Sequence, residues 1–571
     1  MKTVLQFLYC LCLLFITQGL SAQAIYSRYR IVFTDKNGTP YSLDNPGQYL
    51  SPRAILRRQR YGIKLDSTDL PIVPRYIDSV LASGQVTLLN HSNWLNQIII
   101  RTTDTAALAR IRAFPFVRSG DSIALRMGSS QVGAPGNKFR RESTLQRVIP
   151  EGAYRISSLN YGASYNQIHL HNGDFLHNKG LLGQGMVIAM LDGGFSDINT
   201  NPAFDSLLLQ HRLLGTWNYV YDTSYVFGYH WHGANCLSII AANLPGQMIG
   251  AAPDASFWLM ITEDVRSEQP VEEDNWAAGA EKADSAGADI ISSSLGYSLF
   301  DNPAYNLSYA DLNGTTADVS RAASLAVKKG MIVVNAAGNE GETSWKYIIT
   351  PADGIDVLAV GAVDIHKQIA PFSSYGPTAD GRISPVVASV GWNTVLVDTA
   401  GVVSEGSGTS YATPNMAGLV ACLWQGFPAM SNYQIMAAVE KSADHYTDPG
   451  DQIGYGIPDF EAAYDTLLRE QQDSLSLQAA AILDSGYLKA FPNPFLTGFT
   501  IVCRLPQPGL GVFSLYDTQG RLVYRSSIQT DPGLSYYTVT WGNLDRLPGG
   551  VYFLKMDNGP FTRTIKLVKS G

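Results

Sequence analysis

Three residues have the types and the chain order that acyl transfer requires. Ser410 lies in GSGTSYATPNMAG (Gly406–Gly418), where hydroxyls crowd around glycine. Taken alone it is one hydroxyl among Ser407, Thr409 and Thr413 in a polar turn. A serine becomes a nucleophile only with a base in reach and a group that orients the base. His232, in HWHGANCLSIIAAN, precedes Gly233 and an apolar helical run and is the candidate base; His230 competes with it. A metal site on His230 and His232 lacks a third ligand nearby in sequence. Asp192 is the candidate orienter. It ends the apolar run GMVIAMLDGG (Gly185–Gly194), where an ionised carboxylate is costly unless hydrogen-bonded. Its alternative role is to tie down the Gly193–Gly194 turn.

Buried runs follow the same pattern at ASFWLMI, ADIISSSLG, MIVVNAAGN and VLAVGAV, with helical periodicity between them at Trp276–Ala286 and Thr316–Lys329. Apolar strands alternating with helices predict a parallel sheet covered on both faces. Ligands in such sheets lie at the carboxyl ends of the strands, where Asp192, Ser294 and Asn339 all fall.

The rest of the 571 residues divides around this block. Lys2 and the apolar VLQFLYCLCLLFI predict a cleaved export leader over residues 1–24. Residues 25–125 read as a β-α-β-β-α-β unit, with Asp104 placed to cap a helix. The Arg-rich helix SPRAILRRQRYG (Ser51–Gly62) is inserted in it, its charges expected on a solvated face. Residues 126–152 read as a polar linker and processing region. Residues 466–487 read as a helical linker, and residues 488–571 as short alternating strands of an all-β sandwich. Of the five cysteines, Cys10 and Cys12 leave with the leader. Cys236, Cys422 and Cys503 are an odd count, which argues against a disulfide framework; Cys236 and Cys422 are expected as buried thiols. Net charge is −8 with Lys and Arg dispersed, which excludes a phosphate-binding footprint and with it nucleic acid.

IAMLDGGF, HWHGANCLSIIAA, SSSLG, NAAGNEG and GTSYATPNMAG, in this order, resemble the subtilisin-like serine proteases (subtilases) over residues 153–465. The resemblance implies an α/β fold: a parallel-sheet, three-layer catalytic domain. It implies Ser410 as nucleophile, His232 as base, Asp192 as orienter, and Asn339 with the Ser410 N–H as oxyanion donors. Ser294, Leu295 and Gly296 would pair with substrate backbone; Ala336, Ala337 and Gly338 would wall the pocket before the cut bond, floored by Ile349 and Thr350. No cofactor is implied for the chemistry. Structural calcium is common in the family, but its ligands are not assignable here.

The amino-terminal unit resembles the inhibitory α+β prodomains of such proteases. FPNPF, LYDTQGRLVY, PGGVYFLK and IKLVK resemble the sorting domains of type IX secretion substrates. The chain therefore reads as an exported, self-inhibited endopeptidase at the cell surface or outside it. Its partners would be protein or peptide substrates, its own prodomain and the secretion machinery. The alternative is an inactive binding or adhesion protein on the same scaffold. Tyr411 replaces a usual Met, Val386 a usual acidic residue and Ser389 a usual proline; Trp231 is bulky beside His232. TEDVRSEQPVEED (Thr262–Asp274) is expected as a solvated acidic loop.

Overall fold

The computed structural model describes residues 26–125, 138–139, 142–148, 159–483, 486–530 and 536–570. The expected leader and much of the expected linker lie outside the described residues. The chain divides into two compact units, Met1–Tyr464 and Asp465–Gly571.

The first unit begins with an antiparallel sheet in the order Thr87–Ser92, Gln97–Arg101, Tyr26–Phe33, Val117–Leu125. Alternation places Tyr29, Ile31 and Phe33 on one face with Ile98 and Ile100, against Tyr76, Val80, Leu108 and Ile111 of two helices. Asp104 caps one of these helices, Thr105–Arg112, by accepting from the Ala107 N–H at 2.8 Å. The strand Gln97–Arg101 also buries Ile99 on the opposite face, with Ile123, Ala124 and Val271. Val271 opens the helix Val271–Ala286, so this sheet is covered on both sides.

Seven parallel strands form the central sheet. Their order is Val387–Val390, Leu358–Val363, Ile332–Ala336, Ile290–Ser293, Val187–Asp192, Ser256–Ile261, Leu213–Asn218. The strands from Val187, Ile290, Ile332, Leu358 and Val387 are buried at every position, as β-branched runs without alternation require. The helices His232–Ala241 and Thr409–Gly426 pack as one pair, and Val271–Ala286 and Asp318–Lys328 as another. A hairpin, Thr394–Val397 and Val403–Gly406, leads into Thr409–Gly426; the two-residue strand Gln146–Arg147 pairs with its second arm.

The Arg-rich helix, Pro52–Tyr61, departs from expectation. Arg57 and Arg58 are buried rather than solvated. Arg58 pairs with Asp284 at 2.7 Å and Asp69 at 2.8 Å; Arg57 pairs with Asp284, and Asp69 also receives Lys329 at 2.7 Å. The charge run docks the amino-terminal unit on the last turn of Val271–Ala286, at Asp284.

The second unit holds two antiparallel sheets. One has Leu488–Phe491, Phe499–Arg504 and Tyr536–Trp541; the other has Leu522–Gln529, Leu510–Tyr516, Gly550–Asn558 and Phe561–Lys569. Phe499, Ile501 and Trp541 of the first share a core with Phe513, Leu515 and Leu554 of the second, which makes a sandwich. Cys236, Cys422 and Cys503 are free and buried, and no helix among the described residues is long and apolar enough to cross a membrane.

Arg58→Ala leaves Asp284 to Arg57 and Asp69 to Lys329. It should therefore cost less than the roughly 3–5 kcal/mol of a fully stranded buried charge, read as a lower denaturant midpoint for the first unit; an unchanged midpoint would show that Asp284 and Asp69 do not depend on Arg58.

Candidate active site

Asp192 ends its strand almost fully buried. Its Oδ1 accepts the Gly193 N–H at 2.7 Å and pairs with His232 Nδ1 at 2.8 Å. His232 is the first residue of its helix. Gly233 lets that helix come close, because a Cβ there would lie 2.5 Å from the Gly194 carbonyl oxygen and 2.9 Å from Asp192 Cβ. His232 Nε2 and Asp192 Oδ2 are buried without a hydrogen-bond partner among the described residues. Burial alone would lower the His232 pKa, but the Asp192 carboxylate outweighs it and holds the imidazole well above its ordinary value. His230 takes a different part. Its Nδ1 accepts the His232 N–H at 3.3 Å, and burial with the neighbouring His232 pushes its pKa down to about 4.

Ser410 is the second residue of Thr409–Gly426. Pro414 lies inside the helix, as its sixth residue. Proline removes the N–H that would bond back to the carbonyl four residues earlier, which is that of Ser410. Ser294 Oγ donates to this carbonyl at 2.8 Å and Cys236 Sγ at 3.4 Å instead. The freed acceptor thus ties the Ser410 turn to the strand end at Ser294 and to the His232 helix.

Asn339 follows Gly338, whose φ of +114° suits glycine and where a Cβ would lie 2.7 Å from Ser374 Oγ. Asn339 Oδ1 accepts from the Thr409 N–H at 2.9 Å and from Thr409 Oγ1 at 3.1 Å, which fixes the amide and leaves its Nδ2 free of the Thr409 turn. Ser294, Leu295, Gly296, Ala336, Gly338, Asn339 and Ser410 line one cleft of about 980 Å³. Ile349 lines it too, against Gly296 and Gly338. Ala337 does not line it: its side chain packs in the core with Leu312, Ile348 and Ala352. Ser389 accepts from Asn415 Nδ2 at 3.0 Å and bonds His171 Nε2 at 2.9 Å.

The expected linker supplies what sequence reasoning missed. Glu142 Oε1 accepts from Ser410 Oγ at 3.1 Å and from Asn339 Nδ2 at 2.6 Å. Burial raises the pKa of this carboxyl. The Phe139 ring stacks on His232 at 3.9 Å between centroids and meets Trp231 edge-on. Tyr411 donates to the Glu142 carbonyl at 2.9 Å, which gives the unusual tyrosine a partner. A lone Lys, Phe and Glu in a polar stretch carry no periodicity, so only the departure at Tyr411 pointed this way. The acidic stretch Thr262–Asp274 is also corrected: Glu263, Asp264, Glu272, Glu273 and Asp274 are buried beneath the amino-terminal unit and the linker segment, not solvated.

Residues 183–457 match the subtilase family of peptidase S8, residues 28–135 the peptidase S8 propeptide domain of Bacteroidota, and residues 489–570 a secretion system C-terminal sorting domain. Thermitase of Thermoactinomyces vulgaris is 31% identical over 275 residues, 47% of this chain and 84% of that protein. The chain belongs to the subtilase family. The alkaline protease of Alkalihalobacillus alcalophilus is 25% identical over 392 residues, covering 68% of this chain and 88% of its own. The M-protease of Shouchella clausii (strain KSM-K16) is 29% identical over the same shares. This subtilase is a secreted serine endopeptidase made with a propeptide, and its sorting domain marks it for the cell surface or the extracellular space. Subtilases need no cofactor for their chemistry.

The subtilase holds its propeptide partly through Glu281. This buried carboxylate accepts the Asn93 N–H at 2.8 Å, the Trp94 N–H at 2.9 Å and the Ser92 hydroxyl. Burial still pushes its pKa up to about 7 from 4.5. A carboxyl raised in the complex favours the complex fully below its free value, and that contribution is lost as pH rises through the raised one. A severed but bound propeptide should therefore be held on the order of tenfold or more weakly at pH 8 than at pH 5, measured by size-exclusion chromatography. Glu281→Gln should flatten the dependence; an equally steep one would remove Glu281 as its source.

Proposed function

We propose that Ser410, His232, Asp192 and Asn339 carry peptide-bond hydrolysis. The observation behind this is the buried 2.8 Å pairing of His232 Nδ1 with Asp192, which leaves Nε2 as the nitrogen able to accept a proton. Ser410 Oγ attacks the scissile carbonyl while His232 Nε2 takes its proton. Asp192 stabilises the imidazolium. The carbonyl oxygen becomes an oxyanion held by Asn339 Nδ2 and the Ser410 N–H at the start of a helix. His232 then protonates the departing amine, and water, deprotonated by the same nitrogen, releases the acyl group. Ser294–Gly296 pairs with substrate backbone, and Ala336, Gly338 and Ile349 bound the pocket before the cut bond.

In the precursor, one Glu142 oxygen takes the donors meant for this chemistry. Ser410 Oγ donates its hydrogen bond to that carboxyl group instead of to His232, and Phe139 covers the imidazole. The Ser143 N–H donates to the Phe139 carbonyl at 2.9 Å, which ties the residue next to Glu142 to the one that covers His232. The domain division that fits this reading is leader 1–24, prodomain 25–125, linker 126–152, peptidase domain 153–465, linker 466–487 and sorting domain 488–571. The last would be handed to type IX secretion machinery.

Ser410→Ala should abolish casein hydrolysis with the fold intact. Asn339→Ala should lower kcat about 10²–10³-fold, the cost of losing one such donor in this family. Undiminished hydrolysis by Ser410→Ala would sink the assignment. A fluorophosphonate should label Ser410 slowly in the precursor and faster in the Glu142→Ala precursor; no label even after processing would favour an inactive scaffold.

A further inference from the structure

A cation site opens into the cleft beside the proposed catalytic residues. Glu263, Glu268 and Glu272 each bring a carboxylate oxygen within 4.8 Å of the others. Glu263 and Glu268 come from the loop after strand Ser256–Ile261, and Glu272 from the first turn of Val271–Ala286. Glu263 and Glu272 are buried, and Glu268 Oε1 has no hydrogen-bond partner among the described residues. Their common partner is Lys138, whose Nζ lies 3.0 Å from Glu268 Oε2, 3.0 Å from Glu272 Oε2 and in contact with Glu263 Oε1. An ammonium has three N–H donors and no acceptor, and each carboxylate takes one.

Lys138 lies between the stretch that matches the propeptide and the one that matches the protease. When maturation removes it, three crowded carboxylates lose their counter-charge. Even with Lys138 in place, burial and neighbouring charge push Glu268 up to about 8. We propose that Glu263, Glu268 and Glu272 form a subsite for a lysine or arginine side chain of the substrate, on the acyl side of the cut bond. This rests on the proteolytic reading above and names the substrate class of that site.

Three observations favour a side chain over a metal ion. The present occupant is an ammonium on a hydrocarbon stem, hung from backbone that runs along the cleft. Phe139, the next residue, lies on His232, so the subsite is one residue upstream of the group that covers the base. The carboxylates also have few oxygens to spare: Glu263 Oε2 accepts from Tyr297 at 3.0 Å, and Glu272 accepts from the Gln269 N–H at 3.0 Å and the Asp264 N–H at 3.2 Å. Calcium takes six to eight oxygen ligands. The chain direction from Lys138 through Phe139 to Glu142 sets the acyl side.

The test uses the processed, secreted protease with quenched-fluorescent peptides in which lysine or norleucine is scanned through the residues before the cut. Lysine at one position should raise kcat/KM on the order of tenfold or more over norleucine. The same pair, labelled for fluorescence polarisation, should show lysine binding more tightly. In Glu268→Gln, whose side chain is the most accessible of the three, the lysine-to-norleucine ratio should fall towards unity. Equal kcat/KM for the pair at every position, a ratio unchanged in Glu268→Gln, or a preference that EDTA removes would overturn the inference. Tighter lysine binding without cleavage of any peptide would uphold this subsite and fail the proteolytic reading instead.

Discussion

A carboxylate at the buried end of a strand must be met by donors, and much of the first unit follows from how Asp192 is met. One donor is the next amide, which turns the chain at Gly193. The other is an imidazole, and it arrives only because a helix begins with it and carries glycine at the next position. Any side chain at Gly233 would drive the helix away from Gly194 and Asp192. The same helix carries Cys236, whose thiol reaches the Ser410 carbonyl. The orientation of one acid thus fixes a turn, a helix start and, through that helix, the place of the hydroxyl.

The amino-terminal unit is attached by opposite means. Its contact with the protease is dense in charge: Arg30 grips Asp274 through two hydrogen bonds of 2.8 Å and reaches Asp318 at 2.7 Å, and Gln97 adds a bond to Asp274 at 2.7 Å. Charged contacts of this kind confer specificity and register more than net affinity. An apolar seam of the same extent would hold as a permanent core does. A propeptide has to bind one partner in one pose and then leave, and an acidic helix matched by arginines and amides satisfies both demands.

The central sheet was legible because its signals are local and strong. Continuous β-branched runs ending in Asp192, Ser293 or Ala336 can only be buried parallel strands, and the ordered blocks around Asp192, His232, Asn339 and Ser410 carry the family. Charge was the unreliable signal. The Arg57–Arg58 run and the Thr262–Asp274 stretch both read as solvated, since neither holds enough opposite charge within its own segment to neutralise it. Most of their partners lie on other elements: Asp284 for Arg57 and Arg58, Arg30 for Asp274, and Lys138 of the linker for Glu263, Glu268 and Glu272. Ala337 failed for a related reason: neighbours in a block of small residues point alternately to cleft and core, and composition does not say which.

Pro414 shows how a defect in a helix becomes a joint. The missing amide frees one carbonyl, and that carbonyl is claimed by a serine from a strand and a thiol from another helix. Positions 294, 236 and 414 are therefore not independent letters. An alanine at 414 would restore an amide to a carbonyl already served, and an alanine at 294 would cost more with proline at 414 than without it. Free-energy effects at residues sharing one partner do not add, so the cost of a substitution at any one of these three sites depends on what stands at the other two.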